Sequence, residues 1–153
     1  MKKIVLLISL LSICAFAFSQ EDIKAEKEAI QKVVQTAYID GLQNKGDLEL
    51  TKQGFHPGFN LLIMKNDMLE KFPIYNWIEY AEMKKAKDPN PTSEEDKVTC
   101  EFLDIDVTGT AAVVKLKFLK GGKHIYTDYL SLYKFSDSWK IVSKIFFKLP
   151  EEK

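Results

Sequence analysis

Residues 98–148 read VTCEFLDIDVT-GT-AAVVKLKFLK-GG-KHIYTDYLSLYKF-SDS-WKIVSKIFFK, and this run decides the fold. Val98–Thr108, Ala111–Lys120, Lys123–Phe135 and Trp139–Lys148 are rich in β-branched and aromatic residues and predict four strands. Gly109-Thr110 and Gly121-Gly122 are two-residue hairpin loops, which fix register. Pairing Thr108 with Ala111 sets Leu103, Ile105 and Val107 opposite Leu116, Val114 and Ala112. Pairing Lys120 with Lys123 extends that apolar face into Ile125, Thr127, Tyr129 and Ser131. The opposite face then carries a row of charges, Asp104, Lys115 and Asp128.

Upstream of the meander, Asp88-Pro89-Asn90-Pro91 ends a helix, and Thr92–Asp96 is a polar loop. Asn76 and Glu79 have capping-box spacing and open that helix, which carries Trp77, Tyr80, Ala81 and Met83. Phe59–Lys65 and Met68–Ile74 read as a hairpin around Asn66-Asp67, preceded by a breaker-rich loop, Gly54–Gly58. From Asp22 to Asn44, the residues Ile23, Ile30, Val33, Val34, Ala37, Tyr38 and Leu42 follow a helical period, with Glu28 and Lys32 paired on the other face. Gly46 ends this helix, and Asp47 caps a short second one to about Gln53. The order is helix, short helix, two strands, helix, then a four-strand meander, which predicts α+β with a curved antiparallel sheet.

Met1-Lys2-Lys3 followed by an apolar run to Phe18 reads as a signal peptide. Small residues at Ala17 and Ser19 predict cleavage after Ser19, and the apolar run is too short to be a membrane span. The domain is then 20–153, exported to the periplasm or the medium, with no membrane contact once the leader is gone. Its 20 lysines face 22 acidic residues. All the basic residues are lysine and arginine is absent, which excludes bidentate phosphate or guanine recognition. Balanced charge likewise argues against nucleic acid. Cys14 leaves with the leader, so Cys100 has no partner for a disulfide and reads as a buried structural thiol.

The endings Tyr126-Thr127-Asp128-Tyr129-Leu130-Ser131-Leu132-Tyr133-Lys134 and Trp139-Lys140-Ile141-Val142-Ser143-Lys144-Ile145-Phe146 resemble those of one branch of the nuclear transport factor 2-like superfamily, the "lumazine-binding" branch. The Ile30–Tyr38 helix, Phe55-His56-Pro57 and the Trp77 helix resemble it too, so that the likeness covers roughly residues 24–148. It implies a cone-shaped fold shared with SnoaL-like cyclases, ketosteroid isomerases and scytalone dehydratase, with a pocket between the helices and the concave sheet face. The isomerases place a carboxylate base on an early strand and a tyrosine on the first helix. Tyr38 stands at the tyrosine's place, but Phe59–Lys65 contains no acid or histidine, so that mechanism does not transfer.

Three residues are acid–base candidates. His56 has an ordinary pKa near neutrality, yet lies in a helix-exit loop where a histidine often only bonds backbone. Asp128 belongs to the branch's motif, yet the register sets it on the charged face. Tyr38 completes the set. Tyr38, Phe59, Trp77, Tyr80, Thr127 and Tyr129 are the candidate ligand-binding residues, and their aromatic rings either line a cavity or fill a core. His56 and His124 share no metal-ligand spacing with each other or with a cysteine, so neither a metal nor a cofactor is expected. Lys115, Lys117, Lys134 and Lys140 fall opposite the apolar lining, which leaves the pocket without a fixed cation. The register of the last hairpin is open, so Lys144 is the exception. The reading is a small-molecule binder for a neutral, aromatic or apolar ligand. A cofactor-independent isomerase, dehydratase or cyclase is the alternative, and a module without ligand the third. Val113, Leu130 and Leu132 lie on the outer sheet face among charges, and the resemblance implies a homodimer through that face.

Overall fold

The computed structural model describes residues 22–136 and 138–150, and the proposed leader and cleavage site lie outside them. Helix α1 covers 22–43, α-helical to 33 and π-helical over Val34–Gln43. The short α2 follows at Leu48–Gly54, with Asp47 accepting a hydrogen bond from the Glu49 amide at 2.8 Å as its cap. Strand β1 is Phe55–Lys65 and β2 is Met68–Pro73. Helix α3 is Ile74–Lys87, and the meander follows as β3 Val98–Thr108, β4 Ala111–Lys120, β5 Lys123–Phe135 and β6 Ser138–Lys148. Three elements differ from expectation. The breaker-rich loop is the start of β1, because Phe55 pairs with Ile141 of β6 across an irregularity that accommodates Pro57. Helix α3 starts at Ile74 with Pro73 as its N-cap and no side-chain cap bond, so Asn76 is inside the first turn. Glu28 pairs with Lys24 at 3.9 Å, the other side chain one turn away.

The sheet order is β2-β1-β6-β5-β4-β3. It is mixed rather than antiparallel, because β1 and β6 run parallel. No hairpin joins those strands. The chain leaves the β1–β2 edge through α3 and re-enters at β3, on the opposite edge, so its last strand closes against its first. Asn66 and Asp67 both take positive φ, 52° and 59°, the geometry of a tight hairpin.

Both hairpin pairings inferred from the glycine turns occur, Thr108 with Ala111 and Lys120 with Lys123. Beyond them the registers shift at three places. Leu103, Ile125 and Val142 are each an extra residue between pairs: Phe102 faces Leu116 and Asp104 faces Lys115; Leu119 faces His124 and Phe118 faces Tyr126; Leu132 faces Ile141 and Ser131 faces Ser143. Each such bulge restarts the alternation on the other face and bends its strand, which curves the sheet.

Helices α1 and α3 cover the concave face. Ile30, Val34, Tyr38, Leu116, Leu130, Leu132 and Ile141 are buried between them and the sheet. Two polar clamps fix α1. The Glu26 carboxylate accepts from Trp139 Nε1 at 2.6 Å and from Lys134. At its other end Asn44 brackets Val98, donating to its carbonyl at 2.7 Å and accepting from its amide at 2.8 Å.

Candidate functional site

The bulge at Ile125 overturns the expected placement of Asp128. After it, Tyr126, Asp128, Leu130 and Leu132 point into the concave face, whereas Thr127 and Tyr129 point out. Asp128 therefore leaves the outer ladder, in which Asp104 still faces Lys115 and Lys115 faces Tyr129. The bulge at Val142 does the same on β6. Trp139 and Ile141 face inward before it, Lys144 and Phe146 after it. Two single-residue insertions on neighbouring strands thus deliver an acid and a lysine to the same interior.

There they meet. Asp128 is fully buried, and its Oδ1 lies 2.9 Å from Lys144 Nζ, on a side chain itself 6% exposed. The angle of that contact falls outside hydrogen-bond geometry, so Oδ1 has an ionic neighbour but no hydrogen-bond donor. The Tyr38 hydroxyl donates to the other oxygen, Oδ2, at 2.8 Å. Tyr38 is presented from the π segment of α1, where the wide turn re-aims side chains, a device frequent at functional sites.

Lys144 Nζ is surrounded by aromatic faces. It lies 4.9 Å from the Phe146 ring centre, 5.2 Å from Tyr38, 5.9 Å from Trp77 and 6.0 Å from Tyr126. Each distance is within cation–π range. Lys144 and these rings, with Leu61, Phe118 and Gln43, line a cavity of about 210 Å³ open to the surface. Asp128 sits behind Lys144 and Tyr38 rather than on that wall. The pocket therefore does hold a fixed cation, the one lysine whose facing the sequence leaves open, although its own carboxylate balances it.

Burial is the dominant influence on Asp128, Lys144, Tyr38 and Cys100. It pushes the Asp128 carboxyl up, against the pull of Lys144 and the Tyr38 hydrogen bond. It pushes the Lys144 ammonium down, against the pull of Asp128. Both shifts favour the neutral forms. Burial also raises Tyr38 well above the usual phenol range, with the Asp128 charge adding to it, so its hydroxyl remains a donor. The Cys100 thiol is half-buried, 3.5 Å from Gln35 Oε1, and burial pushes it up to about 11. It is therefore a protonated, unreactive thiol.

The other candidates lie apart. His56 accepts from the Gly58 amide through Nδ1 at 3.0 Å and stacks on Phe135 with ring centres 4.7 Å apart. It lies near the start of β1 and touches neither Asp128 nor the cavity. Phe59 is core, packed edge-on against Phe55. Tyr80 is 60% exposed on the outer side of α3. Thr127 bonds His124 Nε2 at 3.2 Å, and Tyr129 lies under Lys115 on the outer face. Of the residues singled out in the sequence, Tyr38 and Trp77 line the cavity and Asp128 backs it. Lys144 is the lysine whose facing the sequence leaves open, and Tyr126 and Phe146 were not singled out, because the facing of all three depends on the bulges.

A larger groove of about 440 Å³ lies between α2, α3 and β1, edged by Lys52, Glu79 and Glu82. Its charges are solvated: Lys52 pairs with Glu49 at 2.9 Å and approaches Glu82 at 3.7 Å. It holds no buried polar group, which leaves the smaller cavity as the site.

A family model described as "Putative lumazine-binding" matches residues 25–147. Among related sequences, aldolase FrzH of a Cladobotryum species is 30% identical over 121 residues, spanning 77% of this chain and 90% of that protein. An NTF2-like protein of unknown function from Shewanella baltica OS155 superimposes with a TM-score of 0.64 at 22% identity, covering 83% of this chain and 96% of its own. Another, from Silicibacter pomeroyi DSS-3, gives 0.65 at 16% identity, covering 83% and 98%. These structures speak for the fold. The family match spans nearly every element described above, and the chain, with an NTF2-like fold, belongs to the "Putative lumazine-binding" family.

Proposed function

We propose that the chain is an exported small-molecule-binding protein whose ligand is a small, flat, neutral compound, seated in the aromatic cavity with an acceptor atom against Lys144. One observation carries this reading: a buried Lys144–Asp128 pair stands at the wall of an open aromatic pocket. Buried ion pairs are weak evidence for stability, since apolar replacements of similar volume are often neutral or stabilising. A role in binding gives this pair a reason to persist. The cavity of about 210 Å³ is below the roughly 300–1,000 Å³ of drug-sized sites, which suits one or two rings. Because cation and anion balance inside, a neutral guest leaves no uncompensated charge. The family description names lumazine, a flat heterocycle bearing carbonyl groups, which is of this kind.

Saturation-transfer NMR with benzyl alcohol and lumazine tests the reading. Both should bind and compete, and Leu61→Trp, which fills the cavity from β1 beside its register partner Lys144, should abolish both signals. Binding unchanged by Leu61→Trp would place it elsewhere and overturn the proposal.

A catalytic reading, cofactor-independent isomerase, dehydratase or cyclase, is favoured by the direct Tyr38–Asp128–Lys144 contact, a hydrogen bond and an ion pair on one carboxylate. The aldolase relative supports it. His56 has no part in it.

A further inference from the structure

We propose that Lys144 is an imine-forming nucleophile for a small aldehyde or ketone held in this cavity, with Asp128 moving the proton. The inference rests on the small-molecule reading above and specifies the chemistry of its ligand.

Lys144 is the only buried lysine among the described residues. Its nitrogen faces a carboxylate on one side and ring faces on the others. An ammonium has three N–H donors, and the protein offers this one a single ionic contact, so it is left with donors for a guest. An amine attacks only when unprotonated, and lysines are activated by desolvation in apolar pockets. Here a proton acceptor is already in place. Tyr38 holds Asp128 Oδ2, which leaves Oδ1, the oxygen without a hydrogen-bond donor, turned to the nitrogen at 2.9 Å. Burial shifts both groups toward the neutral pair, which favours that transfer.

The step balances within the site. Asp128 takes one proton from the ammonium, and the freed nitrogen pair adds to the carbonyl carbon while the C=O π pair moves to oxygen. The nitrogen loses a second proton and the oxygen gains one, giving a carbinolamine. The nitrogen pair then forms C=N as the hydroxyl departs with the proton held by Asp128, as water. The sum is ammonium plus carbonyl going to iminium plus water, with no oxidant or reductant. The iminium carries the same single positive charge as the ammonium, so the carboxylate and the aromatic faces that hold one hold the other. The open side of the cavity lets the water leave.

The full mature chain, incubated near neutral pH with limiting benzaldehyde and sodium cyanoborohydride, reports the step as a stable benzylated lysine located by peptide mass mapping. Lys144 should be the first lysine modified, several-fold ahead of the exposed lysines, because burial disfavours its ammonium. Leu61→Trp should remove that preference. Lys144→Arg, which keeps a cation opposite Asp128, should lose that adduct alone. Labelling spread over surface lysines with Lys144 unmodified would overturn the proposal. Benzyl alcohol, with the same ring and no carbonyl, separates the two readings. If it binds and Lys144 stays unlabelled, imine chemistry fails and the binding reading stands. If neither binds nor labels, both fail.

Discussion

Moving an ammonium or a carboxylate out of water costs several kcal/mol per ion after relaxation, and Lys144 and Asp128 both bear that cost at one point of the sheet. Removing one partner should therefore hurt more than removing both. Lys144→Met is expected to lower unfolding stability by about 3–5 kcal/mol. Asp128→Asn with Lys144→Met, which keeps an oxygen for the Tyr38 hydroxyl, should regain most of that loss. Urea unfolding at neutral pH measures both, and a single variant as stable as the double would show that the pair is not charged in the fold. Tyr38 and Trp77 were legible as site residues because aromatic side chains on helices under a concave sheet have few other places to point. Lys144 was legible only as an open case, since a lysine on a strand is solvated on one face and buried on the other, and its face is decided at Val142, two residues upstream.

Facing is a property of elements, and the three bulges explain what could not be read. The glycine turns set the ends of each hairpin correctly, because two-residue loops tolerate few registers. Inside the strands, an extra residue leaves little trace. Leu103, Ile125 and Val142 each sit beside another apolar residue, Phe102, Tyr126 and Ile141. The same doubling occurs without a bulge at Val113-Val114 and Tyr129-Leu130, so it is too common to act as a signal. Helix packing is more exacting. Gly41, in the π segment, has the Thr51 hydroxyl where a side chain would begin, with backbone oxygens of Asp47 and Thr36 at 3.0 Å. Thr51 is itself buried and donates to the Ala37 carbonyl at 3.0 Å, so it cannot retreat freely. Gly41→Ala is expected to cost about 1–3 kcal/mol by overpacking, visible as a lower urea midpoint with unchanged slope.

For the whole molecule, the α+β order was readable from the alternation of periods along the chain, but the parallel β1–β6 contact was not, since no local motif reports a pairing across most of the chain. The bulges also redraw the outer sheet face. Leu130 and Leu132 are buried inside, and Leu103, Val113, Tyr129, Tyr133, Phe135, Ile145 and Phe147 are among the apolar residues left exposed. We propose that a second copy covers this strip. Sedimentation at micromolar concentration should give a dimer that Ile145→Glu converts to a monomer, and a wild-type monomer would remove the idea. The same bulges bear on how such a protein could change over generations. Removing the single codon for Ile125 or Val142 would turn the rest of that strand over, exchanging inner side chains for outer ones without substituting any. A charged interior and a dry one are then separated by an in-frame deletion, so relatives could keep the motif letters while differing in whether the acid and the lysine ever meet.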